Sequence, residues 1–400
     1  MKKYISLLFI LLSLSSCHFN KLYHLMKKGE LVSEDHQITI PFETRMGLII
    51  IKVMINGKKY DFLVDTGAMN VISIKMANEY QFKKKYKISV SDSQNNKQNA
   101  FFYEIPELFI ENFSFKNTNC IALDIYDEKL NFKCLGVDGI IGSNLMKEGI
   151  WQIDYQKEEI TIYKNNTPLD LSTYDSIRFS NDDQFNPIVP ISIHGATSKL
   201  KVDTGSNGYL RLNDKYMESV LKKDSLEFVT SQYGSITSGI FGKGQNQTKK
   251  FYKADSLLLG DYLCQDFIIG FQEKGSHLLG NKFFADYNLV INWQKKMLYI
   301  KPVDEVIFYS DKRFPLSIDR KDDLKTYYIR SIFNNYQDKH DNITVGDTVI
   351  SINQIPTSDF TSDSYCEFLQ IQENSDRLDF EFIHNNDTLS HTIFSEEQYQ

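Results

Sequence analysis

Short apolar runs separated by polar turns fill most of the chain, and they alternate with the period of strands rather than helices. Residues 48–54 and 188–193 are β-branched and apolar. Each run meets a turn signal, Asn56-Gly57 in one case and His194-Gly195 in the other, and then a second apolar run. Such pairs predict β-hairpins. Helical signals are few: Ser73 is placed to cap a short helix through Tyr80, and Asn213 another through Leu221. The texture changes after residue 302. There Val345-Gly346-Asp347-Thr348-Val349-Ile350-Ser351-Ile352-Asn353 reads as a polar turn feeding an alternating strand. Residues 363–371 predict a short amphipathic helix. Residues 378–383 and 388–394 predict a terminal hairpin about Asn385-Asn386-Asp387.

The pattern is also repeated within the chain, which bears on the fold. The first copy runs Phe62-Leu63-Val64-Asp65-Thr66-Gly67-Ala68, and the second Leu200-Lys201-Val202-Asp203-Thr204-Gly205-Ser206. Downstream, Ile140-Ile141-Gly142 answers Leu278-Leu279-Gly280, and Trp151-Gln152-Ile153-Asp154 answers Val290-Ile291-Asn292-Trp293. Asp65 to Gly142 and Asp203 to Gly280 are both 77 positions (142 − 65 and 280 − 203). The equality is partly coincidence. The stretch 108–112 pairs best with 257–261, so the second copy is longer before that point and shorter after it. Matched motifs carry more weight than the equal totals.

Each copy presents a carboxylate at the end of an apolar strand, with a glycine that permits a tight turn. Two such turns facing one another set carboxyls about 3 Å apart, where both cannot readily ionise. One keeps a proton and the other stays charged, and the titration belongs to the pair. That arrangement suits activation of one water. Hydrogen-bond donors are needed around a buried pair. The amides of Gly67 and Gly205 are the candidates, while the hydroxyls of Thr66 and Thr204 are placed to brace one turn against the other.

Val64-Asp65-Thr66-Gly67-Ala68 resembles the active-site turn of retropepsins, and Val202-Asp203-Thr204-Gly205-Ser206 the same turn in pepsin-like form. The Gly142 and Gly280 elements resemble the hydrophobic-hydrophobic-Gly motif that supports the turn in both groups. The likeness covers roughly residues 40–301. It implies an all-β-dominated chain of two tandem retropepsin-like β-barrel lobes, forming a bilobal aspartic peptidase with Asp65 and Asp203 catalytic. It implies a peptide or protein substrate and no metal or organic cofactor. It also implies flaps over the cleft. Gly234, Ser235, Ile236 and Gly239 lie in the second-copy candidate. The first-copy stretch 91–98 lacks glycine, a departure from the usual flap, and a plain surface loop is the competing reading for both. Ala68 lacks the hydroxyl of Ser206, as in retropepsins. Tyr233 reads as a packing residue, with substrate contact as the alternative. Gly346-Asp347 leading to Ile352-Asn353 resembles bacterial PDZ domains, with Gln354 in place of a glycine. A PDZ-like α+β domain would take a C-terminal peptide by strand addition, its carboxylate loop falling near Arg313-Phe314-Pro315-Leu316-Ser317. The poor match of that loop leaves a structural docking role open.

At the N-terminus, Lys2 and Lys3 precede a short apolar run ending in Leu14-Ser15-Ser16-Cys17. This reads as an export signal, and it resembles the bacterial lipobox with Cys17 as the lipidated residue. The expected organisation is then signal peptide and lipobox 1–17, tether 18–38, first lobe 39–165, second lobe 166–302 and PDZ-like domain 303–400. The protein would be lipid-anchored in a bacterial cell envelope, facing the periplasm or the cell surface. Its net charge of −7 argues against nucleic acid as a partner. Cysteines 120, 134, 264 and 366 contain no CxxC spacing, so zinc and thioredoxin chemistry are unsupported. They read as small buried hydrophobes, with a Cys120–Cys134 disulfide as the alternative. Two functions compete with a peptidase: a catalytically inactive peptide-binding lipoprotein and a scaffold of an envelope complex.

Overall fold

In the computed structural model, residues 23–303 and 312–398 are described. The export segment and Cys17 lie outside them. Strands dominate, and the same strand order occurs twice. In the first half, Leu48–Ile55 and Lys58–Asp65 form a hairpin, followed by Val71–Ser73, a long hairpin of Lys83–Ser91 with Lys97–Ile110, then Phe113–Leu123 and Gly139–Gly142. In the second half, Pro187–Ile193 and Ala196–Asp203 form the hairpin. Leu210–Asn213, a long hairpin of Glu227–Gly234 with Gln247–Leu259, Tyr262–Gln272 and Leu278–Gly280 follow.

The local turn chemistry is the same in both halves. Asn56 and Gly57 have φ of 50° and 77°, and His194 and Gly195 have 46° and 78°. Two consecutive left-handed residues make the tight turn whose twist suits a hairpin. Short helices follow where capping residues stand: Ser73 accepts from the Met76 amide ahead of Ile74–Glu79, and Asn213 from the Tyr216 amide ahead of Asp214–Leu221. The length difference between copies has a structural location. The long hairpin turns over residues 92–96 in the first half and 235–246 in the second, whereas the later connection spans 124–138 and 273–277 respectively.

The halves are joined by a six-stranded sheet. Its centre is Gly149–Asp154 paired antiparallel with Tyr287–Asn292, with Trp151 opposite Ile291. Trp151 is fully buried, and one continuous apolar cluster runs from Ile51 and Phe62 of the first half to Leu279 and Phe283 of the second. Burying a large apolar side chain contributes about 1.5–3 kcal/mol, so this seam fixes how the halves face each other. Residues 23–38, expected as a tether, are instead built into the first half. Met26 is buried, Glu30–Val32 pairs with Phe113–Leu123, and Gln37–Pro41 pairs with Glu159–Lys164. Their strand residues complete sheet edges that would otherwise expose unpaired backbone.

The C-terminal residues pack around their own core of Phe314, Ile318, Tyr327, Phe368 and Phe382. The helix Ser362–Asn374 starts in a reciprocal cap between Thr361 and Ser364. Arg377–His384 and Asp387–Phe394 form the last long hairpin. Several contacts fasten this unit to the rest. Its strand Tyr327–Phe333 pairs with Glu227–Gly234 of the second long hairpin, making one continuous sheet. The buried Asp319 carboxylate lies 3.2 Å from Lys243 Nζ and 3.0 Å from an Arg330 amine, and Arg330 also donates to the Ser235 carbonyl and, at 2.7 Å, to Ser238 Oγ. A disulfide joins Cys134 to Cys366, 232 residues apart. The expected pairing of Cys120 with Cys134, and the reading of all four as buried apolar residues, are both corrected. Cys120 and Cys264 are free and buried, their thiols pushed up by burial. We expect Cys134→Ser with Cys366→Ser to lower stability by about 2–4 kcal/mol, read as an earlier unfolding of the C-terminal unit in thermal and hydrogen-exchange measurements. Unchanged melting would show that the noncovalent attachments suffice.

Candidate active site

The chain brings Asp65 and Asp203 together through two parallel strand pairings. Gly139–Gly142 lies alongside Lys58–Asp65 with Gly142 opposite Asp65, and Leu278–Gly280 lies alongside Ala196–Asp203 with Gly280 opposite Asp203. A side chain at either supporting glycine would collide with the loop behind the Asp-Thr-Gly turn. A Cβ on Gly142 would stand 2.5 Å from the Ala68 carbonyl oxygen, and one on Gly280 2.1 Å from that of Gly208. Hydrogen bonds use the same proximity. Ser143 N donates to Ala68 O and Asn281 N to Ser206 O, at 2.9 and 2.7 Å.

The two turns are locked reciprocally. Thr66 N donates to Thr204 Oγ1 at 3.0 Å, and Thr204 N to Thr66 Oγ1 at 3.1 Å. Each hydroxyl then donates across the seam, Thr66 to the Val202 carbonyl at 2.8 Å and Thr204 to that of Val64 at 2.9 Å. Both threonines are completely buried. Four satisfied hydrogen bonds in a dry setting hold the geometry with little freedom.

Gly67 N donates to Asp65 Oδ1 at 2.7 Å, and Gly205 N donates to the Asp203 carboxylate. The glycines have a further role that the turn motif did not disclose. A Cβ on Gly67 would lie 2.4 Å from Asp203 Cγ, and one on Gly205 2.3 Å from Asp65 Cγ. Neither glycine has a left-handed φ. Their lack of a side chain therefore serves the close approach of the opposite carboxyl. The acids hydrogen-bond each other. Burial and then the Asp203 charge raise Asp65 well above the usual carboxylate range. Burial also raises Asp203, but Arg211 and Lys201 oppose the rise. The pair is thus inclined to keep one proton between its two carboxyls, and its titration belongs to both.

A cavity of about 490 Å³ opens over the pair, with Asp65, Gly67, Ala68, Asp203, Gly205 and Ser206 in its floor. Its roof comes from both long hairpins. Val90, Ser91, Asp92 and Ser93 approach from the first half, and residues 236–240 from the second. The tips touch: Thr237 Oγ1 donates to Gln94 Oε1 at 2.8 Å, and Phe241 N to Asp92 Oδ2 at 3.1 Å. Without glycine, the first tip turns through Asn95 in the left-handed region, with Asp92 accepting from the amides of Gln94 and Asn96. The second candidate is divided in role. Ile236 and Gly239 line the cavity, while Gly234 pairs with Ser331 and the Ser235 carbonyl is held by Arg330. Tyr233 is partly exposed and does not line the cavity.

Sequence reasoning missed several residues here. Asn70 and Asn144 are buried; Asn70 Oδ1 accepts from Gly142 N at 2.8 Å and Asn144 Oδ1 from Asn70 N at 2.7 Å. Lys201, Arg211 and Arg330 line the cavity. For two of these the repeat held a signal: Lys201 stands where the first copy has Leu63, and Arg211 where it has Val71. No cluster of metal-binding side chains occurs among the described residues.

Residues 51–145 match a family model described as aspartyl protease. That span contains the Asp65 turn and Gly142, and it ends before the Asp203 turn. No curated protein matches the chain significantly.

Proposed function

We propose that the protein is an aspartic endopeptidase that hydrolyses extended peptides with water activated between Asp65 and Asp203. The observation that carries this reading is the contact of the two carboxyl groups beneath a roofed cavity, each turn braced by the other's threonine. The family match over the first turn supports the same chemistry.

In the proposed cycle Asp203 is ionised and Asp65 protonated. Asp203 takes a proton from water as its oxygen attacks the scissile carbonyl carbon, and Asp65 gives its proton to the carbonyl oxygen. The product of this step is a neutral gem-diol. Asp203 then passes its proton to the amide nitrogen, the C–N bond breaks, and a diol proton returns to Asp65. Protons balance, and no cofactor is required. General acid–base catalysis by positioned groups contributes about 10²–10⁴-fold, and the rigid threonine lock keeps the two groups aligned throughout.

We further propose that the C-terminal unit is PDZ-like in form and serves docking before peptide capture. The Gln372 side chain accepts from Ile318 N and donates to Ile318 O, both at 2.9 Å. These are backbone groups of the kind that an added strand would use. Export and anchoring through Cys17 complete the proposal and rest on the N-terminal sequence.

The test is incubation of the exported chain with a mixed peptide library from pH 3 to 8, reading new termini by mass spectrometry. Cleavage that disappears when both aspartates become Asn supports the proposal. Peptide binding without new termini at any pH would replace it with a binding lipoprotein.

A further inference from the structure

The two walls of the cavity differ in chemistry although they derive from one repeat. On the first-half side, Leu63, Val71, Ile121 and Ile140 are apolar. On the second-half side, Lys201 and Arg211 replace the first two of these. Both exchanges put positive charge where the other copy buries a hydrocarbon. Chance placement of one cation is common on a surface. Two exchanges of the same sign at matched positions of one cleft ask for a ligand.

The cations differ in what they have left to offer. Lys201 Nζ is 3.6 Å from Asp182 Oδ2 and 3.5 Å from the Gly67 carbonyl oxygen, so it has partners. Arg211 Nε donates to the Ser276 carbonyl at 3.2 Å, which orients the guanidinium. Its Nη2 is buried and has no hydrogen-bond partner among the described residues. The nearby acids do not supply one. Asp203 is engaged with Asp65 and Gly205, and Asp92 accepts from Gln94, Asn96 and Phe241. Burial, and after it Arg313 and Arg211, push the Lys249 amine down to about 7, so the surroundings of Arg211 already resist further positive charge. A buried guanidinium donor without an acceptor costs free energy until one arrives, and a carboxylate is the acceptor its planar fork fits best.

We propose that Arg211 is a specificity-determining residue that receives an acidic side chain of the substrate, so that the enzyme cuts between an apolar and an acidic residue. This rests on the peptidase reading and names its substrate class. The apolar residue occupies the first-half wall, and an Asp or Glu two-oxygen head reaches Arg211 on the other.

Two measurements keep this separate from the peptidase reading. The first is cleavage of matched peptides carrying Glu, Gln or Lys on either side of an apolar residue at the scissile bond. The wild type should favour Glu over Gln by about 10-fold or more in kcat/KM, on one side only, and Arg211→Glu should reverse the order in favour of Lys. The second is binding of the same peptides to the doubly substituted Asp65→Asn, Asp203→Asn protein by fluorescence anisotropy, which needs no turnover. Equal affinity for Glu and Gln peptides there, or an unchanged preference in Arg211→Glu, overturns the assignment of Arg211. Absent cleavage with a retained Glu preference in binding overturns the peptidase and leaves the acidic recognition standing.

Discussion

Replacing either Asp65 or Asp203 by Asn should lower peptide hydrolysis by about 10³-fold or more while leaving the fold intact. The reason lies in the pairing. Asn can neither take the proton from water nor cycle one to the carbonyl oxygen, yet it fills the same volume and can still accept from the Gly67 or Gly205 amide. The substitution also has a thermodynamic signature of definite sign. Asp65 is raised well above its unfolded value, first by burial and then by Asp203. A raised carboxyl contributes stability that is full below its unfolded pKa and is lost as pH rises through the folded one. The Tm of Asp65→Asn relative to the parent should therefore climb as pH rises above the ordinary carboxylate range. A falling or flat difference would mean that the carboxyl is well solvated, contrary to the geometry.

Gly67→Ala should be the next most damaging change, although it alters neither acid. The added methyl would lie 2.4 Å from Asp203 Cγ, so the carboxyls must separate. Misplacement of reacting groups by an ångström costs about 100-fold in rate, and overpacking costs about 1–3 kcal/mol in stability. Gly208→Ala is the control from the same region, because nothing lies within 4 Å of a Cβ built there. A Gly67→Ala protein with near-normal kcat and a Gly208→Ala protein with none would reverse the role assigned to the turn. The comparison uses kcat, since the separation acts on the chemical step rather than on peptide binding alone.

The strand pattern, the Asn56-Gly57 and His194-Gly195 turns and the capped helices after Ser73 and Asn213 were readable because each is a local matter of backbone conformation. The Asp-Thr-Gly turns were readable because the motif occurs twice with the same neighbours. What escaped depends on distance along the chain. The Cys134–Cys366 bond joins residues with no shared local pattern. Residues 30–32 and 37–38 look like a linker until partners from 113–123 and 159–164 arrive to pair with them. The carboxyl-to-glycine approach across the two turns is likewise a product of assembly. Arg211 lay between these cases. Aligning the copies sets it against Val71, but its unpaired amine is visible only once the wall is built.

The two sides of the roof over the acids are tied down unequally. The second long hairpin shares a sheet with Tyr327–Phe333, and Arg330 and Asp319 hold residues of its turn, Ser235, Ser238 and Lys243. It cannot swing without dragging the C-terminal unit along. The first hairpin meets it at the tip through Gln94 and Asp92. If the roof parts to admit a peptide, the tip at residues 92–96 is the side that can move without the C-terminal unit.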